Sequence, residues 1–218
     1  MSSPGANPAP APRRTAVYVD SWNLYYGCLK GTPYRWINIA EMVRLSMPAH
    51  YQIDSIRFFT ATAMERPGDP QQLIRQLTLF RALRTLPILT MHYGTFLVKH
   101  VRMLRVTPLP DGTRFVDVVR IEEKGSDVNL AAYLVADGYE NAYDAAVVIS
   151  ADSDLVEAIR IVRRLRKHVT VLSPSSRAHE MERAATRFRV IDPAVLAQSL
   201  FPPVMRDAQG EFHKPASW

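Results

Sequence analysis

The residues of this chain best suited to chemistry are aspartates that follow short apolar runs. Asp20 ends the stretch T-A-V-Y-V-D, while Asp152 and Asp154 bracket Ser153 just beyond A-A-V-V-I-S. A further acid, Asp127, closes E-K-G-S-D (123–127). Carboxylates brought together repel one another unless cations neutralise them, and hard divalent ions such as Mg²⁺ or Mn²⁺ favour oxygen ligands. Ions held there activate water and stabilise charge on a phosphodiester in transit. Asp20, Asp127, Asp152 and Asp154 are therefore the candidate catalytic and metal-ligating residues. Asn23 is a candidate to orient the first carboxylate or touch phosphate, and Ser150 to position a ligand or water.

Each acid also has a plainer reading. Asp20 and Asp152 suit helix N-caps, and Asp127 and Asp154 suit first turns, where they complement the helix dipole. A cap needs one such residue, whereas here several acids are expected at one edge of a sheet, and that joint placement favours chemistry. Other chemistries find less support. The six histidines show no close pair at metal-ligand spacing, Cys28 reads as a packed thiol, and Gly125 alone is no phosphate loop.

The elements that must position these acids alternate. Apolar runs at 16–19, 56–61, 86–93, 145–149, 169–172 and 189–191 read as strands. Segments 23–29, 70–85, 128–137, 155–167 and 179–185 read as helices; in the fourth, Leu155, Ile159, Val162 and Leu165 follow the spacing of one helix face. Such alternation implies a mainly parallel sheet covered on both faces, whose ligands bind beyond the carboxyl ends of the strands. Residues 96–105 and 114–122 flank T-P-L-P-D-G-T and read as an inserted β-hairpin.

With 218 residues, 47% of them hydrophobic, the chain suits one folded domain, expected over residues 15–201. Residues 1–14 are expected to form a disordered arm and 202–218 a flexible tail, both being poor in large apolar groups. No apolar run is long enough to cross a bilayer and no secretory leader is recognisable, so a cytoplasmic location and no membrane partner are expected. A single cysteine fits a reducing compartment. Lysine and arginine number 27 against 21 acids, a net charge of +6 that favours polyanions. Lys99, Arg102 and Arg105 on the hairpin, with Lys124 at its base, are candidate nucleic-acid contacts, whereas Arg163, Arg164, Arg166 and Lys167 read as a solvated helix face. Val98, Val106 and Phe115 give the hairpin an apolar surface through which a homodimer could form.

The stretches V-Y-V-D-S-W-N-L-Y (17–25), E-K-G-S-D-V-N-L-A (123–131) and Y-D-A-A-V-V-I-S-A-D-S-D-L (143–155) together resemble the NYN-domain family of PIN-like ribonucleases, over roughly residues 15 to 192. The resemblance implies a PIN-like three-layer α/β/α sandwich, dependence on Mg²⁺ or Mn²⁺, RNA as substrate, and an acidic centre of Asp20, Asp127, Asp152 and Asp154 with Asn23 beside it. Ala151 stands where the family commonly has glycine, and Leu155 and Glu157 replace its frequent phenylalanine and proline; these departures touch local loop shape and leave the acids intact. The expectation is an endoribonuclease. A catalytically weak RNA-binding or regulatory protein is the alternative, with a DNA 5′-nuclease third, because a fold can keep its acids without turnover.

Overall fold

The computed structural model describes residues 11–64 and 68–218. In chain order the elements are β1 (Arg13–Asp20), α1 (Ser21–Leu24), a π-helical turn (Tyr25–Leu29), α2 (Ile39–Ser46), β2 (Tyr51–Thr60), α3 (Gln72–Leu83) and β3 (Leu89–Tyr93). Then come β4 (Thr95–Leu104), β5 (Phe115–Lys124), α4 (Ser126–Tyr139), β6 (Ala145–Ile149), a 3₁₀ turn (Ser153–Leu155), α5 (Val156–Arg164) and β7 (His168–Ser173). The chain continues through α6 (His179–Ala184), β8 (Arg187–Val190), α7 (Pro193–Gln198), β9 (Val204–Asp207) and β10 (Gly210–His213).

Six strands form one parallel sheet in the order β3-β2-β1-β6-β7-β8. Its central strand β6, A-A-V-V-I, is buried at every position because helices cover both faces, which is why an unbroken apolar run serves there in place of alternation. Val17 and Val19 of β1 point into the core that holds Trp36, α2 and α3; Ala16 and Tyr18 point into the other, with Leu130 and Leu134 of α4 and Ile159 and Val162 of α5. This is the expected three-layer α/β/α sandwich. The chain winds outward from β1 through β2 to β3, then from β6 through β7 to β8, so β1 and β6 flank the point where the strand order reverses. A crevice forms there, at the carboxyl ends.

The expected hairpin is present as β4 and β5, paired antiparallel from Thr95↔Lys124 to Leu104↔Phe115. It lies outside the six-stranded sheet.

Two short helices, α2 and α7, were not among the expected elements. Both start at a polar cap: Asn38 accepts the Glu41 N–H at 3.2 Å, and Asp192 accepts the Ala194 N–H at 2.8 Å with Pro193 in the first turn. The expectation of a flexible tail over 202–218 is corrected. That segment folds back as the β9–β10 hairpin, because its few large groups find partners far away in sequence. Phe212 and Trp218 pack edge-on against buried Trp36, at centroid distances of 6.5 and 6.3 Å. Arg81 of α3 clamps Asp207 with two hydrogen bonds of 2.7 Å and lies over the Phe212 ring at 4.2 Å. At the other end, the expected arm lies outside the described residues for positions 1–10, and Arg13 and Arg14 already belong to β1.

Buried polar groups tie α4 to the sheet. Asp137, 6% exposed, accepts hydrogen bonds from the Tyr18 hydroxyl at 2.6 Å and from Arg57 Nε and Nη2 at 2.7 and 2.9 Å. Arg57 also lies 4.6 Å from the centre of the Tyr133 ring.

Candidate active site

β1 delivers Asp20 at the strand-order reversal, and β6 delivers Ser150 and, two residues on, Asp152. Asp20 caps α1: its Oδ1 accepts the Asn23 N–H at 3.0 Å, and its Oδ2 accepts the Ser150 hydroxyl at 3.0 Å. Ser150 Oγ in turn accepts the Asp152 N–H at 3.0 Å, and Asn23 Oδ1 accepts the Ala151 N–H at 2.8 Å. Asn23 and Ser150 thus bind the loop after β1 to the loop after β6. Of the two supporting candidates, Ser150 bonds an acid directly through its hydroxyl, whereas the Asn23 side chain bonds the loop that carries Asp152.

The third acid arrives on α4. Gly125, with φ of +99°, turns the chain from β5 into that helix, a backbone state that favours glycine. Asp127 then stands in the first turn. Asp20, Asp127 and Asp152 place carboxylate oxygens within 4.8 Å of one another. Of the four expected acids, these three are the ones brought within that distance. Asp154 lies outside this trio, at a neighbouring depression formed with Glu157, Arg160, Glu180 and Arg183. The 3₁₀ turn that begins at Ser153 separates it from Asp152, although its charge still acts on Asp127.

Burial and mutual repulsion dominate the electrostatics. Asp20 is 5% exposed, and desolvation, opposed by its hydrogen bond from the Asn23 N–H and reinforced by the charge of Asp127, pushes its pKa up to about 6. The Asp127 carboxyl is raised by burial and then by Asp152, Glu123 and Asp154. Among the described residues, no basic side chain is among the groups acting on either carboxyl. An uncompensated, oxygen-only donor set of this kind fits a hard divalent cation such as Mg²⁺ or Mn²⁺.

This gives a pH prediction. In metal-free protein, a carboxyl with a folded pKa above its unfolded value adds stability that is full below about 4 and lost as pH rises through about 6. Relative to Asp20→Asn, wild-type protein in chelator should therefore gain about 1 kcal/mol between pH 7 and pH 5. Urea melts of both proteins check this; a wild-type advantage that grows toward pH 7 would contradict it.

The sequence reading missed several residues of the same cleft. Trp22, Tyr26, Phe96 and Glu123 line it beside the acids. Trp22 stacks on Tyr26 with centroids 5.9 Å apart and meets the Phe96 edge at 5.9 Å. The four-residue spacing of Trp22 and Tyr26 in W-N-L-Y-Y was the available signal, since it puts both on one helical face. Glu123 is turned toward α4, accepting the Ser126 N–H at 3.2 Å and the Ser126 hydroxyl at 2.7 Å. Gly94 lies so close that a Cβ there would sit 2.0 Å from Glu123 Oε1 and 2.7 Å from the Lys124 carbonyl oxygen. Only glycine admits that approach. Burial pushes the Cys28 thiol up to about 11, as fits a packed thiol.

The basic candidates of the hairpin do not form one patch. Directly opposed residues share a face, and successive residues alternate. Phe96 and its partner Glu123 look into the acid cleft, so Val98, His100, Arg102 and Leu104 share that face of β4. Lys99 and Lys124 belong to the other face, where Arg120 opposes Lys99 and Glu122 pairs with Lys124 at 3.1 Å. Arg102 faces Asp117 in the ladder and lies 5.1 Å from the Phe115 ring centre. Arg105 follows the end of β4, its N–H bonded to the Arg114 carbonyl at 2.8 Å.

Comparisons with known proteins agree with this architecture. The solved structure of a protein of unknown function from Vibrio parahaemolyticus superposes with a TM-score of 0.54 at 18% identity, covering 88% of this chain and 99% of that one, and so shares the fold. Among curated proteins, 6-hydroxy-3-succinoylpyridine 3-monooxygenase HspA of Pseudomonas putida (strain DSM 28022 / S16) is 32% identical over 177 residues. That match covers 70% of this chain and 56% of the relative, so the chain spans little more than half of the relative's length. Among the described residues, no helix is long and apolar enough to cross a membrane. The family model of the NYN domain matches residues 14–192, nearly the whole sandwich together with Asp20, Asp127, Asp152 and Asp154, and the chain therefore belongs to the NYN-domain family.

Proposed function

We propose that this protein is a divalent-metal-dependent endoribonuclease that hydrolyses RNA phosphodiester bonds at Asp20, Asp127 and Asp152. The observation that carries the reading is the uncompensated trio of carboxylates at the strand-order reversal, within a NYN domain. Asp20, Asp127 and Asp152 would hold Mg²⁺ or Mn²⁺, with Asp154 contributing charge from the margin. The ion's part, when bound, is to lower the pKa of water and neutralise phosphate charge. The chain's own residues keep the carboxylates in place: Ser150 and the Asn23 N–H fix both oxygens of Asp20, and Asn23 Oδ1 fixes the loop that carries Asp152. Cleavage of single-stranded RNA by pure protein, with and without chelator, tests the reading.

The name of the curated relative raises a second reading, an oxidative activity on a small pyridine, and an aromatic-walled cavity beside the acids gives it a structural footing. Incubation with 6-hydroxy-3-succinoylpyridine, a nicotinamide or flavin reductant and oxygen separates the two. Turnover there without RNA cleavage would favour it.

For RNA contact we assign the hairpin, with Arg102 on the face that continues from the cleft. Neutralising Lys99, Arg102 and Arg105 together should weaken RNA binding and lower the salt slope by up to about 2, near 0.7 for each phosphate of a single strand that is no longer neutralised. Arg102→Ala alone should account for more of that loss than Lys99→Ala. Unchanged affinity across a salt series would remove the hairpin from the account.

The same hairpin exposes Val98, Val106 and Phe115, along with Leu104 and Val119. A two-stranded ribbon with open edges and apolar groups suits pairing with a second copy, so light scattering should give a dimer mass that reverts to monomer in Val106→Lys. A monomer at all working concentrations would refute dimerisation.

A further inference from the structure

A cavity of about 420 Å³ opens between α1, the π-helical turn, α3 and the C-terminal Trp218. Protein interiors are packed to the density of organic crystals, and space of this size falls in the range that small planar ligands occupy. Its walls carry the rings of Trp22, Tyr25, Tyr26, Phe58, Phe80 and Trp218. Trp22 and Tyr26 belong both to this cavity and to the cleft that holds Asp20, Asp127 and Asp152. The two spaces are neighbours through a shared aromatic wall.

Three further observations bear on the occupant. Trp22 presents its ring to this wall, while its indole N–H is buried with no accessible surface on the cavity and no acceptor among the described residues. The wall itself includes the π-helical turn Tyr25–Leu29, closed by the Lys30 N–H on the Tyr25 carbonyl at 2.7 Å, and such turns recur where side chains serve function. Cations line the cavity as well: Lys30 lies 4.9 Å from the Tyr26 ring centre and Arg35 lies 5.6 Å from that of Trp218. Aromatic walls favour the flat face of a heterocycle, and nearby cations favour a ligand that carries phosphate.

We propose that this cavity receives one unpaired nucleobase of the RNA strand whose phosphodiester lies at the Asp20–Asp127–Asp152 cluster. The assignment rests on the ribonuclease reading above. It makes the enzyme selective for single-stranded RNA, because a base held in a duplex cannot enter. Base–aromatic stacking contributes enough that losing it weakens binding by about tenfold. Tyr26, 49% exposed at the junction of the two spaces, is the ring that can be removed with least disturbance to the core.

The test uses the full chain in chelator, so that RNA binds without being cut. Fluorescence anisotropy is read on a short single-stranded RNA and on a series in which one abasic nucleotide is moved along it. Wild-type affinity should fall about tenfold at one position of the abasic nucleotide and little elsewhere. Tyr26→Ala should lose about as much on intact RNA and almost nothing more on RNA abasic at that position, while Tyr26→Phe should restore binding. Wild-type protein that cuts RNA, yet shows no position where base removal matters, would overturn the cavity assignment and leave the ribonuclease reading standing. An equal Tyr26→Ala loss on intact and abasic RNA would do the same. A pyridine carboxylate whose binding is lost in Tyr26→Ala, yet which fails to compete with RNA for wild-type protein, would also overturn it, assigning the cavity to a free heterocycle. Absence of both RNA binding and RNA cleavage in wild-type protein would remove the ribonuclease reading itself, and this assignment with it.

Discussion

Asp152→Asn is expected to lower cleavage of single-stranded RNA by orders of magnitude while leaving the fold intact. The substitution removes one of the three negative charges whose oxygens lie within 4.8 Å of one another, and with it a ligand that hard divalent ions favour. It changes little else. Asp152 Oδ1 accepts the Asp154 N–H at 3.0 Å, and asparagine keeps an acceptor there and caps about as well as aspartate. Its backbone N–H still bonds to Ser150 Oγ. Melting temperature in chelator should hold or rise slightly, since like charges are separated, and RNA affinity without metal should be retained. Loss of cleavage with both retained supports a role for Asp152 in catalysis. Cleavage at the wild-type rate would remove Asp152 from the site.

The largest effect on stability is expected far from the reacting groups, at Asp137. Its carboxylate is buried under α4 and answers three donors, the Tyr18 hydroxyl and two nitrogens of Arg57. Asp137→Ala leaves a guanidinium and a buried phenol without their acceptor, and breaking a buried pair from one side costs about 3–5 kcal/mol. The Arg57 side chain is 27% exposed and keeps its place over Tyr133, so water relieves part of the cost and a value of about 3 kcal/mol is expected. For a chain of this length that corresponds to a fall of about 6–12 °C in melting temperature. Asp137→Asn should cost less, because a carbonyl oxygen still accepts from either partner. Chemical denaturation of the three proteins provides the check; a loss below about 1 kcal/mol for Asp137→Ala would show that the network is solvated in solution.

The parts of this fold legible in the sequence are those in which local chemistry and global position agree. The short, β-branched A-A-V-V-I run reads as a strand covered on both faces, and acids beyond the ends of such strands mark the side on which ligands bind. Asp20 and Asp152 were readable for that reason, and Asp127 from the turn E-K-G-S-D that leads from the hairpin into α4. Asp154 was grouped with them because it and Asp152 bracket Ser153 beyond the same strand; the turn at Ser153–Leu155 places it at the adjoining depression, from which its charge still acts on Asp127. Lys99 and Arg102 were grouped by shared charge, although three residues along a strand means opposite faces. Strand periodicity held that information.

Long-range contacts were harder to see. Met205, Phe212 and Trp218 are scattered among polar residues in the tail, and nothing local says that Trp36 and Arg81 await them. The aromatic wall of the cleft is formed in the same way, from Trp22 and Tyr26 after β1 and Phe96 at the start of the inserted hairpin. By contrast, α2 had a readable start in N-I-A-E, with Asn38 as cap and Glu41 in the first turn.

Whether the carboxylate trio works through a divalent ion on RNA is decided by a metal titration of cleavage. Wild-type protein, Asp152→Asn and Asp20→Asn are freed of metal by chelator and returned to Mn²⁺ or Mg²⁺ at pH 7.5, a pH above the value near 6 to which burial lifts Asp20, so that this ligand is ionised. Hydrolysis of single-stranded RNA should be absent in chelator, rise saturably with either ion in wild-type protein, and stay at background in both variants across the same range. Undiminished hydrolysis by wild-type protein in excess chelator, or a metal response equally strong in the variants, would contradict the account.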